Sequence, residues 1–163
     1  MSLELRMYTV VPYNISPIQQ GIQSLHAVVR YARAVRNFPE LEKQYNEWAD
    51  SHETVIIKNG GTTNTNEKLL GTLNVLYNEL SDLGATIQPF YEPDLGEQLT
   101  AFAILVDERV FNKELYPDFT DYVKVEKVEF DYSQLKEYGD WVELVGGKLN
   151  VELRRLLNPL RLA

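Results

Sequence analysis

The pattern of apolar and polar positions along the first half of the chain predicts an α/β architecture. Residues 7–13 are β-branched and aromatic, which indicates a strand. Ser16 and Pro17 follow as an N-cap and a first helical residue. Beyond them, apolar residues recur at spacings of three and four and give the predicted helix one apolar stripe. Its members are Ile18, Ile22, Leu25, Val29 and Ala32.

The elements that follow alternate between helix and strand. A second helix is predicted over residues 39–50, starting at Pro39. Residues 54–57 form a continuous apolar run, typical of a strand covered on both faces. Residues 64–84 predict a helix capped by Gly84, with a buried face made of Leu69, Leu73, Leu76 and Leu80. Strands over 85–91 and 99–106 complete the order βααβαββ, which favours a largely parallel or mixed sheet.

The pattern loosens after about residue 110. Val123–Phe130 alternates like a strand buried on one face, and a helix is predicted over about 133–144. Gly146 and Gly147 interrupt it before a last short helix. Because this part is too hydrophobic for a disordered tail, we divide the chain into a domain over 1–110 and an extension over 111–163. We expect the extension to pack on the core or on another subunit, and to mediate a homodimer or larger homo-oligomer.

Composition narrows the classes of function. The 163 residues include 16 Lys and Arg against 24 Asp and Glu, a net charge of −8, which disfavours DNA as a partner. With no cysteine, the sequence excludes disulfides, thiolate metal sites and a cysteine nucleophile. The first residues lack a signal-peptide pattern and no apolar window is long enough for a membrane span. We therefore expect a cytoplasmic protein with no membrane partner, no metal and no cofactor.

The loop after the first strand and the helix that follows it carry one group of candidate ligand-binding side chains. Positions 19, 23, 26 and 30 share a stripe of the helix, and the helix start directs free N–H groups outward. This arrangement suits a phosphate or carbonyl group, and the alternative is a solvated polar face. The group comprises Asn14, Ser16, Gln19, Gln20, Gln23, His26 and Arg30.

A second group is acidic and follows the third strand. Glu92, Asp94 and Glu97 are three carboxylates within six residues. Such a group can perform general acid–base chemistry or bind a hard cation, or it can be a solvated loop. The stretch from Glu79 to Glu108 contains seven acidic residues and no Lys or Arg, so a polyanion would be repelled there.

Two further features have the composition of phosphate sites. Gly60 and Gly61 lie in a loop whose N–H groups could cradle a phosphate. That loop lacks the ending of a P-loop, and the alternative is an ordinary connection. Arg30, Arg33 and Arg36 form the compact basic cluster of the first helix. They suit either a phosphate backbone or a solvated face paired with nearby glutamates.

Two segments resemble the type 2 peptidyl-tRNA hydrolase family, in particular its bacterial and bacteriophage-type branch. They are residues 16–27, SPIQQGIQSLHA, and residues 92–101, EPDLGEQLTA. The resemblance covers about residues 7–107. It implies a mixed four-stranded sheet flanked by helices, frequent dimerisation, and hydrolysis of the ester between tRNA and a peptide.

The resemblance also assigns residues to the family's site. Gln23 and His26 match a Gln and a His three residues apart, and Glu92 stands where the family begins its loop with Asp. Gln19 replaces a basic residue, and the family's Thr falls on Gly96 unless a gap brings Thr100 into play. The implied catalytic residues are Glu92, Asp94, His26 and Thr100.

Three functions follow as hypotheses. The first is a peptidyl- or aminoacyl-tRNA hydrolase. The second is a non-catalytic binder that sequesters a small nucleotide-like ligand in the same pocket. The third is an acidic protein-interaction module or host-factor inhibitor.

Overall fold

The computed structural model describes residues 2–124 and 136–163. By internal contacts the described chain divides into two units. The first comprises Glu4–Val106 with Leu160–Ala163, and the second comprises Asp107–Pro159 with Ser2 and Leu3. None of the helices in these ranges combines the length and the apolar character needed to cross a membrane.

The elements of the first unit follow the predicted order. They are β1 (Leu5–Val11), α1 (Pro17–Val35), α2 (Pro39–Glu47), β2 (Val55–Asn59), α3 (Thr72–Asp82), β3 (Ile87–Glu92) and β4 (Gln98–Asp107). A π-helical turn over Trp48–His52 extends α2, and a 3₁₀ turn over Pro93–Leu95 joins β3 to β4. The βααβαββ order predicted from the sequence is therefore confirmed in the described chain.

The four strands form one mixed sheet in the order β2-β1-β4-β3. β1 and β2 are parallel, with Met7 opposite Val55. β3 and β4 are antiparallel, with Ile87 opposite Ile104 and a register shift between Phe90 and Tyr91. The mixed sheet expected for this chain is thus confirmed.

Helices cover both faces of the sheet. On one face, buried residues of β1, β4 and α1 form a core that includes Met7, Ala101 and Tyr31. On the other, Phe102 of β4 contacts the ring of Tyr77 of α3, with centroids 5.8 Å apart. Because successive strand residues point to opposite faces, Ala101 packs on the α1 side of the sheet and Phe102 on the α3 side.

The apolar stripe of α1 does not form its buried face. The buried residues of α1 are Gln23, Ser24, Ala27, Tyr31 and Val35. Ile18, Ile22, Leu25 and Val29 are exposed. At about 100° per residue, the exposed stripe lies on the side of the helix opposite this buried face. Hydrophobic periodicity therefore located the helix correctly but not the face that meets the core.

Two expectations for later elements are wrong. β2 is an edge strand that is only partly buried, rather than a strand covered on both faces. Its open edge is paired by residues 161–163, since Asn59 N–H donates to the carbonyl of Arg161 and Ala163 N–H donates to that of Ile57. A short apolar run is compatible with an edge strand when another segment covers the edge.

The predicted helix over 64–84 begins eight residues late, at Thr72. Its first residues instead form turns in which Asn64 and Asn66 side chains accept from backbone N–H groups two residues on. Leu69 is consequently exposed, whereas Leu73, Leu76 and Leu80 are buried as predicted. Gly84 ends the helix with a φ of +79°, also as predicted.

The second unit is helical in its described part. It contains α4 (Glu108–Phe111), α5 (Phe119–Val123), α6 (Lys136–Leu144) and α7 (Lys148–Leu157). Phe119, Trp141 and Val145 form its core. Gly146 and Gly147 have positive φ and separate α6 from α7 as predicted. Residues 125–130 of the predicted strand, and 133–135 of the predicted helix, lie outside the described residues, while Val123 ends α5.

Candidate functional site

The connection from β1 to α1 is held by its own side chains. The Ser16 hydroxyl accepts from Gln19 N–H at 3.3 Å and caps the helix as predicted. The Gln20 amide donates to the carbonyls of Pro12 at 3.3 Å and Ile15 at 3.5 Å. Asn14 is exposed. Ser16 and Gln20 therefore fix the path of the loop, and both Asn14 and Ser16 are exposed to solvent.

Gln23 is the centre of a polar network that joins three elements. Its side chain is almost completely buried, with an exposure of 1%. Its Nε2 donates to Glu92 Oε2 at 2.8 Å and to Gln19 Oε1 at 3.2 Å. Its Oε1 accepts from the Thr100 hydroxyl at 2.7 Å. A buried amide whose nitrogen donates and whose oxygen accepts hydrogen bonds is held in one side-chain orientation.

Glu92 stands at the solvent side of this network. One carboxylate oxygen accepts from Gln23, and the other accepts from Asp94 N–H at 3.3 Å, which caps the 3₁₀ turn. The side chain is half-buried, whereas Asp94 is exposed. Among the described residues, no Lys or Arg forms a salt bridge with Glu92. The carboxylate is thus oriented by neutral donors.

Thr100 lies beneath the site and not at its surface. It is completely buried, and its hydroxyl lies 2.7 Å from Gln23 and 3.5 Å from the carbonyl of Phe90. Gly96, the alternative position for the family's threonine, is exposed and ends the 3₁₀ turn with a φ of +66°. Thr100 therefore positions Gln23, while Gly96 contributes only to the turn.

Phe90 is a member of the site that the sequence reasoning missed. The ring of His26 stacks on it with centroids 4.4 Å apart and planes inclined by 13°. The Arg30 guanidinium carbon lies 5.8 Å from the same centroid. Both His26 and Arg30 are exposed. The position of Phe90 two residues before Glu92 on β3 was the available signal, since residues i and i+2 share a strand face.

The glycine loop uses its N–H groups within the chain. Gly60 N–H donates to the carbonyl of Val11, and Gly61 N–H donates to Asn59 Oδ1, both at 2.8 Å. Thr62 N–H donates to the Thr72 hydroxyl at 2.9 Å. An added Cβ on Gly60 would lie 2.6 Å from Leu73, so glycine is needed there for packing. These donors are not directed outward as a phosphate cradle requires.

The structure thus brings together Gln19, Gln23, Glu92 and Thr100, with His26 and Arg30 beside Phe90. It does not join the glycine loop or Asp94's carboxylate to this network. Across the described ranges, no group of three or more His, Asp or Glu residues is arranged to hold a metal ion.

The chain matches no protein-family model and no curated protein sequence.

Proposed function

We propose that this chain is an ester hydrolase of the type 2 peptidyl-tRNA hydrolase kind, with Glu92 as the base that activates water. The observation that supports this is the buried Gln23, which hydrogen-bonds Glu92 and Thr100 across 69 and 77 residues of sequence. Burying an amide is costly unless its partners are in place. Here those partners hold a carboxylate at the solvent boundary in a fixed orientation.

The reaction needs few groups. The Glu92 carboxylate takes a proton from water as the water oxygen bonds to the ester carbonyl carbon. The bond from that carbon to the ribose oxygen then breaks, and the proton passes to the departing oxygen. The Gln19 side chain is exposed, and its amide is the donor available for the developing oxyanion. As a neutral donor it stabilises that charge less than the family's basic residue would.

The test is release of an N-blocked amino acid from tRNA by the purified chain. We expect Glu92→Gln to lower the rate by at least about 100-fold, the usual contribution of a general base. Glu97→Gln is the matched control, because it makes the same change at an exposed position in the same loop. Equal rates for the wild type and Glu92→Gln, or equal losses in the two variants, would reject the assignment.

A second candidate function is binding of a small nucleotide-like ligand without catalysis. It is favoured by the exposed imidazole of His26, which lies on the buried Phe90 ring beside the exposed Arg30 guanidinium. Stacking surfaces and guanidinium groups recognise bases and phosphates. Because Gln19 is neutral, the cationic contact to a phosphate would come from Arg30.

Thermal stabilisation by a panel of mononucleotides tests the second candidate. We expect a stabilising nucleotide to lose its effect on Arg30→Gln and to keep it on Arg33→Gln, which removes an equal charge one turn away on the same helix. No stabilisation by any nucleotide, or an equal loss in both variants, would reject binding beside His26 and Arg30.

A further inference from the structure

We propose that the second unit binds a small aryl carboxylate in a cleft between α5, α6 and α7. The cavity measures about 450 Å³, which lies within the range of about 300–1,000 Å³ that is usual for small-molecule sites. All of its lining residues belong to the second unit. They include none of the residues proposed above for ester hydrolysis or nucleotide binding, so this inference does not depend on either function.

Aromatic side chains form the apolar part of the cleft. Phe119 and Trp141 belong to the core of the unit, and Tyr138 packs against them. The ring centroids of Phe119 and Tyr138 lie 5.2 Å apart with planes inclined by 79°, and those of Tyr138 and Trp141 lie 5.7 Å apart. Tyr138 is half-buried, whereas the other two rings are buried. Because aromatic rings favour edge-to-face and offset contacts, a bound ring extends this cluster mainly through Tyr138.

Arg154 supplies the polar group in the wall of the cleft. Its side chain is 4% exposed, and two of its nitrogens donate to the Arg109 carbonyl at 2.7 Å and to Asp118 at 2.9 Å. The third nitrogen, Nε, is buried and has no hydrogen-bond partner among the described residues. A buried donor without an acceptor is costly, and native structures contain few of them. A ligand carboxylate in the cleft would supply the missing acceptor.

Asp118 balances two cations with one charge. Its carboxylate accepts from Lys113 and from Arg154, each at 2.9 Å. Burial raises the pKa of Asp118, but the hydrogen bonds and charges of Lys113 and Arg154 outweigh burial and hold that pKa below its ordinary value. The carboxyl group is therefore ionised at neutral pH, and it still leaves one of its two cations without a counter-charge.

The local charge favours an anion with a single charge. Arg155 also lines the cleft, and it pairs with Glu152 at 2.6 Å. Among Lys113, Asp118, Glu152, Arg154 and Arg155, one positive charge is in excess, although the whole chain has a net charge of −8. Such a cleft attracts an anion. A carboxylate matches one excess charge and one unpaired donor, whereas a phosphate dianion would need further donors.

The first experiment is isothermal titration calorimetry of the full chain with three probes. Phenylacetate has the ring and the carboxylate, phenylacetamide has the ring without the charge, and acetate has the charge without the ring. We expect phenylacetate to bind with a dissociation constant in the millimolar range, which is usual for a ligand of about ten heavy atoms. Phenylacetamide and acetate should each bind at least about tenfold more weakly, because each lacks one of the two contacts.

The second experiment locates the site with variants. Lys113→Gln should weaken phenylacetate binding by about threefold or more and leave phenylacetamide unaffected, since Lys113 is exposed and contributes mainly charge. Lys148→Gln is the matched control, because it makes the same change at an exposed position of α7 outside the cleft. Val151→Phe adds volume to the lining and should weaken phenylacetate binding by at least about tenfold. Urea unfolding monitored through Trp141 checks that this variant is folded.

A fourth probe distinguishes two sources of the same chemistry. N-Acetylphenylalanine carries its ring and carboxylate as the last residue of a peptide does. Tighter binding than that of phenylacetate supports the site with a peptide C-terminus as its ligand, and weaker binding supports it with a free acid.

The proposal is overturned if the chain binds no phenylacetate, or if phenylacetate and phenylacetamide bind equally well. Equal losses in Lys113→Gln and Lys148→Gln would also overturn it, because they would show general attraction of an anion to the surface. Unchanged binding by folded Val151→Phe would place the ligand elsewhere and would equally overturn it.

Discussion

Replacing Gln23 by Leu tests whether the site is organised by the buried amide. The substitution keeps the size of the side chain but removes hydrogen bonds to Thr100, Glu92 and Gln19. The Thr100 hydroxyl then retains only a contact of 3.5 Å with the Phe90 carbonyl. An unpaired buried hydroxyl costs about 1–3 kcal/mol, and the lost bond to the half-exposed carboxylate adds about 1. We expect a total of about 3 kcal/mol.

A double-mutant cycle with Thr100→Val makes the prediction specific. Alone, Thr100→Val should cost about 1.5 kcal/mol, because it leaves Gln23 Oε1 without its donor in a buried position. Added to Gln23→Leu, it should cost nothing, because it removes the hydroxyl that Leu left unpaired. The expected coupling is therefore about 1.5 kcal/mol.

Urea unfolding monitored through Trp48 provides the measurement. Trp48 is buried in the first unit and donates to the carbonyl of Thr54 at 2.8 Å. Trp141→Phe removes the tryptophan fluorescence of the second unit. It is present in all four proteins of the cycle, which are the reference, Gln23→Leu, Thr100→Val and the double variant. Additive effects, or a cost below about 1 kcal/mol for Gln23→Leu, would refute the account of a mutually supporting buried network.

Three further predictions concern the rest of the fold. Ser16→Ala should lower the stability of the first unit by about 1 kcal/mol, measured by urea unfolding, with Ser16→Gly costing less. Burial raises the pKa of Tyr31 to about 12 from 10.0, so its neutral form stabilises the folded state below pH 10. That contribution, up to about 2.7 kcal/mol, is lost as the pH rises from 10 to 12, and Tyr31→Phe should flatten this part of the stability profile. Arg154→Met should cost the second unit about 3 kcal/mol, monitored through Trp141, because it removes the hydrogen bonds from a buried guanidinium to the Arg109 carbonyl and to the partly exposed Asp118. An unchanged unfolding midpoint would contradict this.

Local chemistry made much of the fold predictable. Ser16 and Pro17 begin α1, and Gly84 ends α3, because caps depend on a few adjacent residues. The start of α3 was not predictable from apolar spacing, since Leu69 continues the helical period while the Asn64 and Asn66 side chains hold turns before it. The partial burial of β2 depends on residues 161–163, which lie about 100 positions further along the chain. A pattern of neighbouring residues cannot indicate such a contact.

The candidate site was predictable in its members but not in their roles. Gln23 was identified from the helix stripe at positions 19, 23, 26 and 30, and Glu92 from the acidic loop after the third strand. Thr100 was identified through the family resemblance alone. Which of them reaches solvent depends on the packing of β3 and β4 against α1. That packing makes Thr100 a buried support, leaves Glu92 at the boundary, and brings Phe90 beneath His26.

The inverted burial of α1 is a consequence of the polar network at the site. A helix normally turns its most apolar stripe to the core, but α1 buries Gln23 and Ser24, each paired with a partner from the sheet. These hydrogen bonds let polar residues occupy the inner face, so the aliphatic residues are left outside. The polar stripe with His26 and Arg30 lies between the two faces.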